Sequence, residues 1–165
     1  DILPRTARLI IARPVNHSGR HHASRSFVLP SLAAQIVAIE NGSAPPHLIV
    51  GDLSKARDFL DVRDVAAAYT RLIAQAPTFD ERVTVFNVAS GTSYTIQSLL
   101  DGLRAQARCA FEVKVNRDLL RPSALDVPIM RCDASRLQEA TGWRPQVPVD
   151  AMLGSLLEFW RTQAS

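Results

Sequence analysis

The sequence predicts an α/β protein, because apolar runs of strand length alternate with amphipathic helical segments. The apolar runs cover residues 7–15 and 83–89. Predominantly apolar runs of this kind are typical of strands that are buried on both faces of a parallel sheet. Between and after them, apolar residues recur every three or four positions, as on one face of a helix. The chain has 165 residues, 47% hydrophobic and 21% charged, so we expect one compact core and no extensive disorder.

The first half of the chain is predicted to contain two strands and two helices. A polar loop at residues 16–26 follows the first buried strand, and a helix is expected over residues 27–40, with Gly42 as its left-handed stop. The inward face of that helix consists of Leu32, Ala33, Ile36 and Ile39. A short strand at residues 47–50 precedes a helix at about residues 62–76, which we expect to bury one apolar face. That face consists of Val62, Val65, Ala66, Tyr69, Leu72 and Ile73.

The second half continues the alternation of strands and helices. The second buried strand is followed by a helix that Thr95 is expected to cap. Its inward residues are Ile96, Leu99, Leu100 and Leu103. Residues 111–115 alternate between apolar and charged side chains, which predicts a half-exposed strand. A short helix capped by Asp133 and ended by Gly142 then precedes a last helix that starts at Asp150.

The positive charge of the chain comes almost entirely from arginine. The formal net charge is +3, and Lys55 and Lys114 are the only lysines. Arginine presents a planar fork of donors, so this bias suits recognition of phosphate or carboxylate groups better than a lysine-rich nucleic-acid tail would. A general preference of the genome for arginine explains most of these residues equally well.

The cysteines and the apolar segments exclude several other classes of protein. Cys109 and Cys132 are isolated in the sequence, so we expect reduced thiols and neither a zinc site nor a disulfide framework. No apolar run approaches the length of a membrane span, and no signal segment opens the chain. These features lead us to expect a cytoplasmic protein.

A dense run of charge at residues 57–64 supplies the first candidate ligand-binding residue. Asp61 is expected to cap the following helix and Asp64 to lie in its first turn, near the positive end of the helix dipole. That dipole repels a cation at Arg57, four residues before the cap, so helix stability does not explain this arginine. We therefore select Arg57 as a ligand-binding candidate. The alternative is a surface salt bridge with Asp58 or Asp61.

Six segments together resemble one enzyme family. They are Arg13-Pro14-Val15-Asn16-His17-Ser18-Gly19, Phe27-Val28-Leu29-Pro30-Ser31, Arg57-Asp58-Phe59-Leu60-Asp61-Val62-Arg63-Asp64-Val65, Asn87-Val88-Ala89-Ser90-Gly91, Arg121-Pro122 and Thr141-Gly142-Trp143-Arg144-Pro145. In this order and spacing they resemble the extended short-chain dehydrogenase/reductases of the NAD-dependent epimerase/dehydratase family. The RPxNH form is most similar to GDP-mannose 4,6-dehydratases and GDP-4-keto-6-deoxy-mannose reductases.

The resemblance also has implications for fold and domain organisation. It implies the carboxyl-terminal part of a doubly wound, Rossmann-type fold, with a small α/β substrate-binding lobe. The family's GxxGxxG cofactor turn and its catalytic Tyr-x-x-x-Lys do not occur in these 165 residues, and in the family both precede the RPxNH strand. We therefore expect residues 1–165 to be the substrate-binding part of a longer enzyme, with its amino-terminal dinucleotide-binding part absent from this sequence. The start at Asp1, shortly before a buried strand, agrees with this expectation, and no catalytic residue is assigned.

The resemblance assigns the substrate-binding residues. Arg57 and Arg121 are implied to reach the diphosphate or ribose of a bound nucleotide, and Asp126 to accept from the ribose hydroxyls, although Ser123-Ala124-Leu125 separates it from the second arginine. Phe27 and Val28 are implied to pack on the substrate. The alternative for Phe27 is a place in the hydrophobic core.

The resemblance also implies contacts with the cofactor, made from the polar loop at residues 16–26. Asn16 is expected to touch the substrate near the nicotinamide, and Asn16 and His17 are the cofactor-binding candidates. The alternative for Asn16 is an amide that holds its own turn. His21 and His22 are adjacent in a polar loop without a carboxylate or cysteine at ligand spacing, so no metal is assigned.

The implied function of the full-length parent is NAD(P)-dependent modification of a nucleotide-linked hexose. The substrate is expected to be GDP-mannose or a GDP-linked 6-deoxy-hexose, acted on by a dehydratase (a lyase) or a reductase (an oxidoreductase), in a homodimeric parent with no membrane or nucleic-acid partner. The chain alone is expected to be inactive and to bind no cofactor. Two alternatives remain: a UDP-sugar 4-epimerase, and a non-catalytic module that binds nucleotide sugars or uses the basic loop at residues 20–25 to bind RNA.

Overall fold

The computed structural model describes residue 4, residues 7–120 and residues 127–164. Within these residues it contains eight β-strands and five α-helices. In chain order they are β1 (Leu9–Pro14), β2 (Asn16–Ser18), α1 (Val28–Glu40), β3 (His47–Val50), β4 (Ala56–Asp61), α2 (Val62–Gln75), β5 (Val83–Val88), β6 (Ser93–Thr95), α3 (Ile96–Ala105), β7 (Glu112–Val115), β8 (Ile129–Met130), α4 (Ser135–Thr141) and α5 (Val149–Gln163). The predicted α/β class is confirmed.

The strands form three small sheets. β1 and β5 pair in parallel, with Leu9 opposite Val83, and β3 pairs in parallel with β7. β4 is the centre of the third sheet, since β2 pairs with its second half and β6 and β8 pair with its first half. β4 is the element on which the candidate site is built.

Two hydrophobic cores lie on either side of β4. One is formed mainly by α1, α3, α5 and β3 and includes Phe59. The other is formed mainly by α2, α4 and β5 and includes Leu60. Because successive side chains of a strand point to opposite faces, these neighbouring residues anchor β4 in both cores. β4 is thereby held between the two hydrophobic cores.

The prediction that the first strand is buried on both faces is wrong. No residue of β1 is fully buried, and Leu9 is 38% exposed. Ile10 and Ala12 pack on a core, whereas within the described residues β1 pairs with β5 alone. β5 itself alternates between buried and more exposed residues. The two strands therefore form a sheet with one covered face.

The helix prediction for α2 is confirmed in extent, but its apolar surface is only partly buried. Val65 and Leu72 are buried, whereas Val62, Tyr69 and Ile73 are 41%, 40% and 74% exposed. We call these three exposed residues the α2 stripe. The apolar residues span a wider arc than the helix buries against β1, β2, β4 and α4.

The predicted helix ends are partly confirmed. The Asp61 side chain accepts a hydrogen bond from the Arg63 N–H at the start of α2, and Thr95 accepts one from the Ser98 N–H at the start of α3. The prediction for Asp133 is wrong by one residue, because Ala134 occupies the cap position of α4. The Asp133 carboxylate accepts from the Ser135 N–H at 2.8 Å instead.

The remaining differences at element ends are small. α1 begins one residue after Phe27, and α5 begins one residue before Asp150. Gly42 and Gly142 adopt the predicted left-handed conformation after α1 and α4, with φ of +74° and +65°. None of the helices in the described ranges is long and apolar enough to cross a membrane.

Candidate functional site

β4 is fixed in place by a buried carboxylate. Asp58 is fully buried, and its carboxylate accepts hydrogen bonds from the Ser90 N–H, the Ser90 hydroxyl and the Gly91 N–H, at 3.1, 2.6 and 2.9 Å. Gly91 has φ +77°, a conformation that glycine adopts without strain. The three donors satisfy the buried charge and tie β4 to the turn after β5.

The carboxylate of Asp61, at the end of β4, is also hydrogen-bonded. Asp61 accepts two hydrogen bonds of 2.8 Å from the guanidinium of Arg63. Burial by itself would raise the pKa of Asp61, and the hydrogen bonds and charge of Arg63 outweigh that effect, so its pKa is lowered. The carboxylates of Asp58 and Asp61 are thus both engaged by groups other than Arg57.

Arg57 lies in a cavity of about 620 Å³, which we call the arginine cavity. Its cationic side chains among the described residues are Arg25, Lys55 and Arg57. Lys55 lies 3.4 Å from Asp52, and Arg57 donates from Nη1 to the main-chain oxygen of Ala56 at 2.8 Å. The other described residues that line it are Asn16, Ser26, Phe27, Val28, Ser31, Leu32, Ile49, Val50, Gly51, Asp52, Leu53, Phe59, Ile96, Asp118 and Leu119. The cavity thus combines cationic side chains with apolar walls.

Asn16 connects this cavity to a second one of about 630 Å³. It stands at the start of β2, opposite Phe59 of β4. Its side chain is exposed and makes no hydrogen bond to any residue that the structure describes. The alternative that this amide holds its own turn is therefore not supported, and its donor and acceptor remain available to a ligand.

Three histidines line the second cavity, which we call the histidine cavity: His17, His21 and His22. The His17 Nδ1–H donates to the main-chain oxygen of Val15 at 3.0 Å. The Ser18 Oγ lies within hydrogen-bond distance, 3.1 Å, of the His22 Nδ1. Burial lowers the pKa of His22, and the nearby His17 lowers it further. Within the described residues, no group of three or more His, Cys, Asp or Glu side chains is placed to hold a metal ion.

The structure brings together four of the residues selected from the sequence. Asn16, Phe27, Val28 and Arg57 all line the arginine cavity, and His17 lines the adjoining one. The core alternative for Phe27 is wrong, because its side chain is 58% exposed. The other two candidates, Arg121 and Asp126, lie outside the described residues.

The sequence did not single out Arg25 or Lys55 as site residues. Arg25 belongs to the basic loop that was considered only for RNA binding, and Lys55 precedes the charged run without a pattern of its own. Ile49 and Val50 of the apolar wall were predicted only as part of a short strand, and Gly51 was assigned no role. These residues become neighbours only because β3, β4 and the loop before α1 converge.

Comparisons with known proteins identify the family of the chain. Residues 5–156 match the family model described as GDP-mannose 4,6 dehydratase. A GDP-6-deoxy-D-mannose reductase from Pseudomonas aeruginosa is 35% identical over 94% of this chain and 49% of its own length. A probable GDP-L-fucose synthase from Oryza sativa subsp. japonica is 30% identical over 85% of this chain and 41% of its own length. The chain thus spans about half the length of the curated relatives it matches.

A solved structure supports the same relationship at the level of the fold. RMD from Pseudomonas aeruginosa, complexed with NADPH, superposes with a TM-score of 0.84 and 34% identity, over 94% of this chain and 49% of that one. The architecture is that of the carboxyl-terminal half of an extended short-chain dehydrogenase/reductase. The chain belongs to the GDP-mannose 4,6 dehydratase family within that class.

Proposed function

We propose that this chain binds a GDP-linked hexose in the arginine cavity, as the substrate-binding part of an NAD(P)-dependent nucleotide-sugar reductase or dehydratase. The observation that carries the proposal is one cavity of about 620 Å³ in which Arg25, Lys55 and Arg57 meet apolar side chains. Relatives that act on GDP-sugars by name, a GDP-6-deoxy-D-mannose reductase and a probable GDP-L-fucose synthase, support the substrate class.

The cationic side chains suit the diphosphate of such a ligand. Arginine binds phosphate oxygens through two parallel N–H donors, and such charge-assisted hydrogen bonds are stronger than neutral ones. Arg57 is held on β4, whose position the buried Asp58 fixes. A rigidly placed guanidinium loses little conformational freedom when it binds. We assign Arg121 and Asp126 to the same ligand, on its diphosphate and ribose, from the sequence alone.

The apolar walls of the arginine cavity suit the base of the nucleotide, and the residues that border both cavities suit the sugar. Ile49 and Leu119 line the cavity and are both exposed, at 39% and 55%, so a flat base would cover them. Phe27 and Val28 border both cavities and are assigned to the substrate. Asn16 lies where a sugar would pass from the arginine cavity toward the histidine cavity.

The histidine cavity is assigned to the nicotinamide end of the cofactor, with Asn16 and His17 as the residues in contact. The NADPH complex of the Pseudomonas structure supports NAD(P) as the cofactor. When bound, the cofactor would exchange a hydride with the sugar. The contribution of the described residues is to hold and orient that sugar, which lowers the entropic part of the barrier.

The dinucleotide-binding part is proposed to pair with the outer edge of β1. Within the described residues that edge has no strand partner, and the side chains of β1 are incompletely buried. An unpaired edge of this kind is a template for another strand. The α2 stripe lies on a helix that packs against β1, so the same partner would cover it.

Calorimetric titration of the 165-residue chain tests the proposed ligand. GDP and GDP-mannose are expected to bind more tightly than UDP and UDP-glucose. Tighter binding of the uridine nucleotides would favour the UDP-sugar 4-epimerase alternative. If all four nucleotides fail to bind, the proposal of a nucleotide-sugar site is overturned, and binding of short RNA would then favour the RNA-binding alternative.

A further inference from the structure

None of the carboxylates that the structure describes explains the position of the Arg25 guanidinium. Arg25 lies in the loop between β2 and α1, and its guanidinium carbon is 5.1 Å from the centroid of the Trp160 ring. Within the described residues it makes no ion pair and no hydrogen bond. A cation over an indole face is stabilised by the ring quadrupole, by about 0.5–1 kcal/mol at an exposed site. The contact therefore restrains Arg25 without using its N–H donors.

The loop that carries Arg25 has a second attachment to α5, since the centroids of the His21 and Phe159 rings lie 5.3 Å apart. Within the loop, the rings of His22 and Phe27 lie 5.1 Å apart. Phe159 neighbours Trp160 on α5, so two successive aromatic residues of that helix hold the same loop. The main chain around Arg25 is consequently positioned before any ligand arrives.

Arg25 also lines the arginine cavity, as do Lys55 and Arg57 from a different part of the chain. Lys55 has Asp52 as a partner at 3.4 Å. Arg25 thus adds a positive charge to the cavity that no described carboxylate offsets by direct contact. A forked donor with open N–H groups suits a planar or tetrahedral anion, and the anionic group of a nucleotide sugar is its diphosphate.

We propose that Arg25 binds the diphosphate of the nucleotide and that Trp160 holds its guanidinium ready for this contact. This inference rests on the proposed function of the arginine cavity and assigns a specific residue to it. With Arg57 on β4 and Arg25 on the loop before α1, the diphosphate receives donors from two separately anchored elements. A neutral nucleoside gains nothing from Arg25.

Calorimetric titration of the 165-residue chain with GDP, and ligand-observed NMR with guanosine, test this assignment. Arg25→Ala is expected to raise the Kd for GDP about tenfold and to leave guanosine binding unchanged. Arg25→Lys should recover part of the loss, because it restores the charge without the fork. Arg104→Ala is the matched control, since Arg104 also lies 5.1 Å from an aromatic ring, that of Phe111, and lines neither cavity. It should bind GDP like the wild type.

The outcomes separate this assignment from the function on which it rests. If the wild-type chain binds GDP and Arg25→Ala binds it equally well, the role of Arg25 is overturned and the proposed function stands. An equal loss of guanosine and GDP affinity would place Arg25 on the base and would also overturn the phosphate assignment. If the wild-type chain binds no GDP, both the proposed function and this assignment fail.

Discussion

The indole N–H of Trp143 donates a hydrogen bond of 3.1 Å to the main-chain oxygen of Asp64. The Asp64 side chain faces the same segment, where its two carboxylate oxygens accept the N–H groups of Gln146 and Val147, each at 3.0 Å. Asp64 is 3% exposed and Trp143 is 3% exposed. The first turn of α2 is thereby joined to the chain that connects α4 with α5.

Asp64→Asn is expected to lower the free energy of unfolding by about 2 kcal/mol. The amide keeps one acceptor but directs a donor at the other buried N–H, which is then left unsatisfied. Urea denaturation measures the change. Asp80→Asn is the control, because Asp80 is exposed, and it should change stability by less than about 0.5 kcal/mol. Equal effects of the two substitutions would show that the buried hydrogen bonds contribute nothing.

The role of Asp64 illustrates what the sequence could and could not predict. Its place in the first turn of α2 follows from local spacing and is confirmed. Its hydrogen bonds to Gln146 and Val147 join residues more than 80 positions apart, and no local pattern indicates them. The strand β4 was missed for a related reason: Asp58 is a buried charge whose described hydrogen-bond donors lie in the distant turn at Ser90 and Gly91.

The residues of the candidate site also differ in whether a local sequence pattern could indicate them. Asn16 and Arg57 could be selected because their residue types and flanking segments carry a recognisable pattern. Arg25 could not, because its position depends on the packing of a loop against Trp160 on the last helix. The exposure of β1 was mispredicted because an apolar run indicates only the capacity to be buried, and whether it is buried depends on its neighbours.

The ion pair between Glu40 and Arg161 predicts a pH dependence of stability. The two side chains are 7% and 13% exposed and meet at 2.7 Å. The hydrogen bond from Arg161 holds the pKa of Glu40 below its usual value of 4.5. A carboxylate with a lowered pKa in the folded state stabilises the fold above the unfolded pKa, and this contribution is lost as the pH falls through the folded value.

Glu40→Gln is therefore expected to be less stable than the wild type at neutral pH, with a difference that shrinks as the pH falls below about 4.5. Urea denaturation at a series of pH values measures this convergence. Glu158→Gln is the matched control, because Glu158 pairs with the same arginine but is 59% exposed, and exposed pairs contribute at most about 1 kcal/mol. A difference for Glu40→Gln that stays constant with pH would contradict the linkage.

Arg57→Ala is expected to weaken GDP binding by about 2 kcal/mol, roughly thirtyfold in Kd. The physical reason is the loss of a charge-assisted, forked contact to phosphate, and Arg57→Lys should restore only part of it. Calorimetry measures the affinities, and thermal melting checks that the variants fold. Arg71→Ala, at an exposed position of α2 that lines neither cavity, should leave binding unchanged. If Arg57→Ala binds GDP with the affinity of the wild type, Arg57 does not contact the nucleotide and its role is structural.

The exposed apolar surface beside β1 predicts that the 165-residue chain self-associates. An unpaired strand edge and a neighbouring apolar stripe both favour contact with another molecule. Ile73, the most exposed member of the α2 stripe at 74%, can be changed to glutamate without burying a charge. Ile73→Glu is therefore expected to reduce association while leaving the thermal midpoint unchanged. Sedimentation velocity at several concentrations measures the association.

Val115→Glu provides the comparison for this experiment. Val115 is also apolar and 60% exposed, but it lies on β7, in a different sheet from β1. A glutamate there adds the same charge and removes a similar exposed side chain, so it should leave association unchanged if the contact is made through β1 and α2. A monomeric wild-type chain at every concentration would rule out this contact, and equal effects of the two glutamates would attribute association to general surface charge.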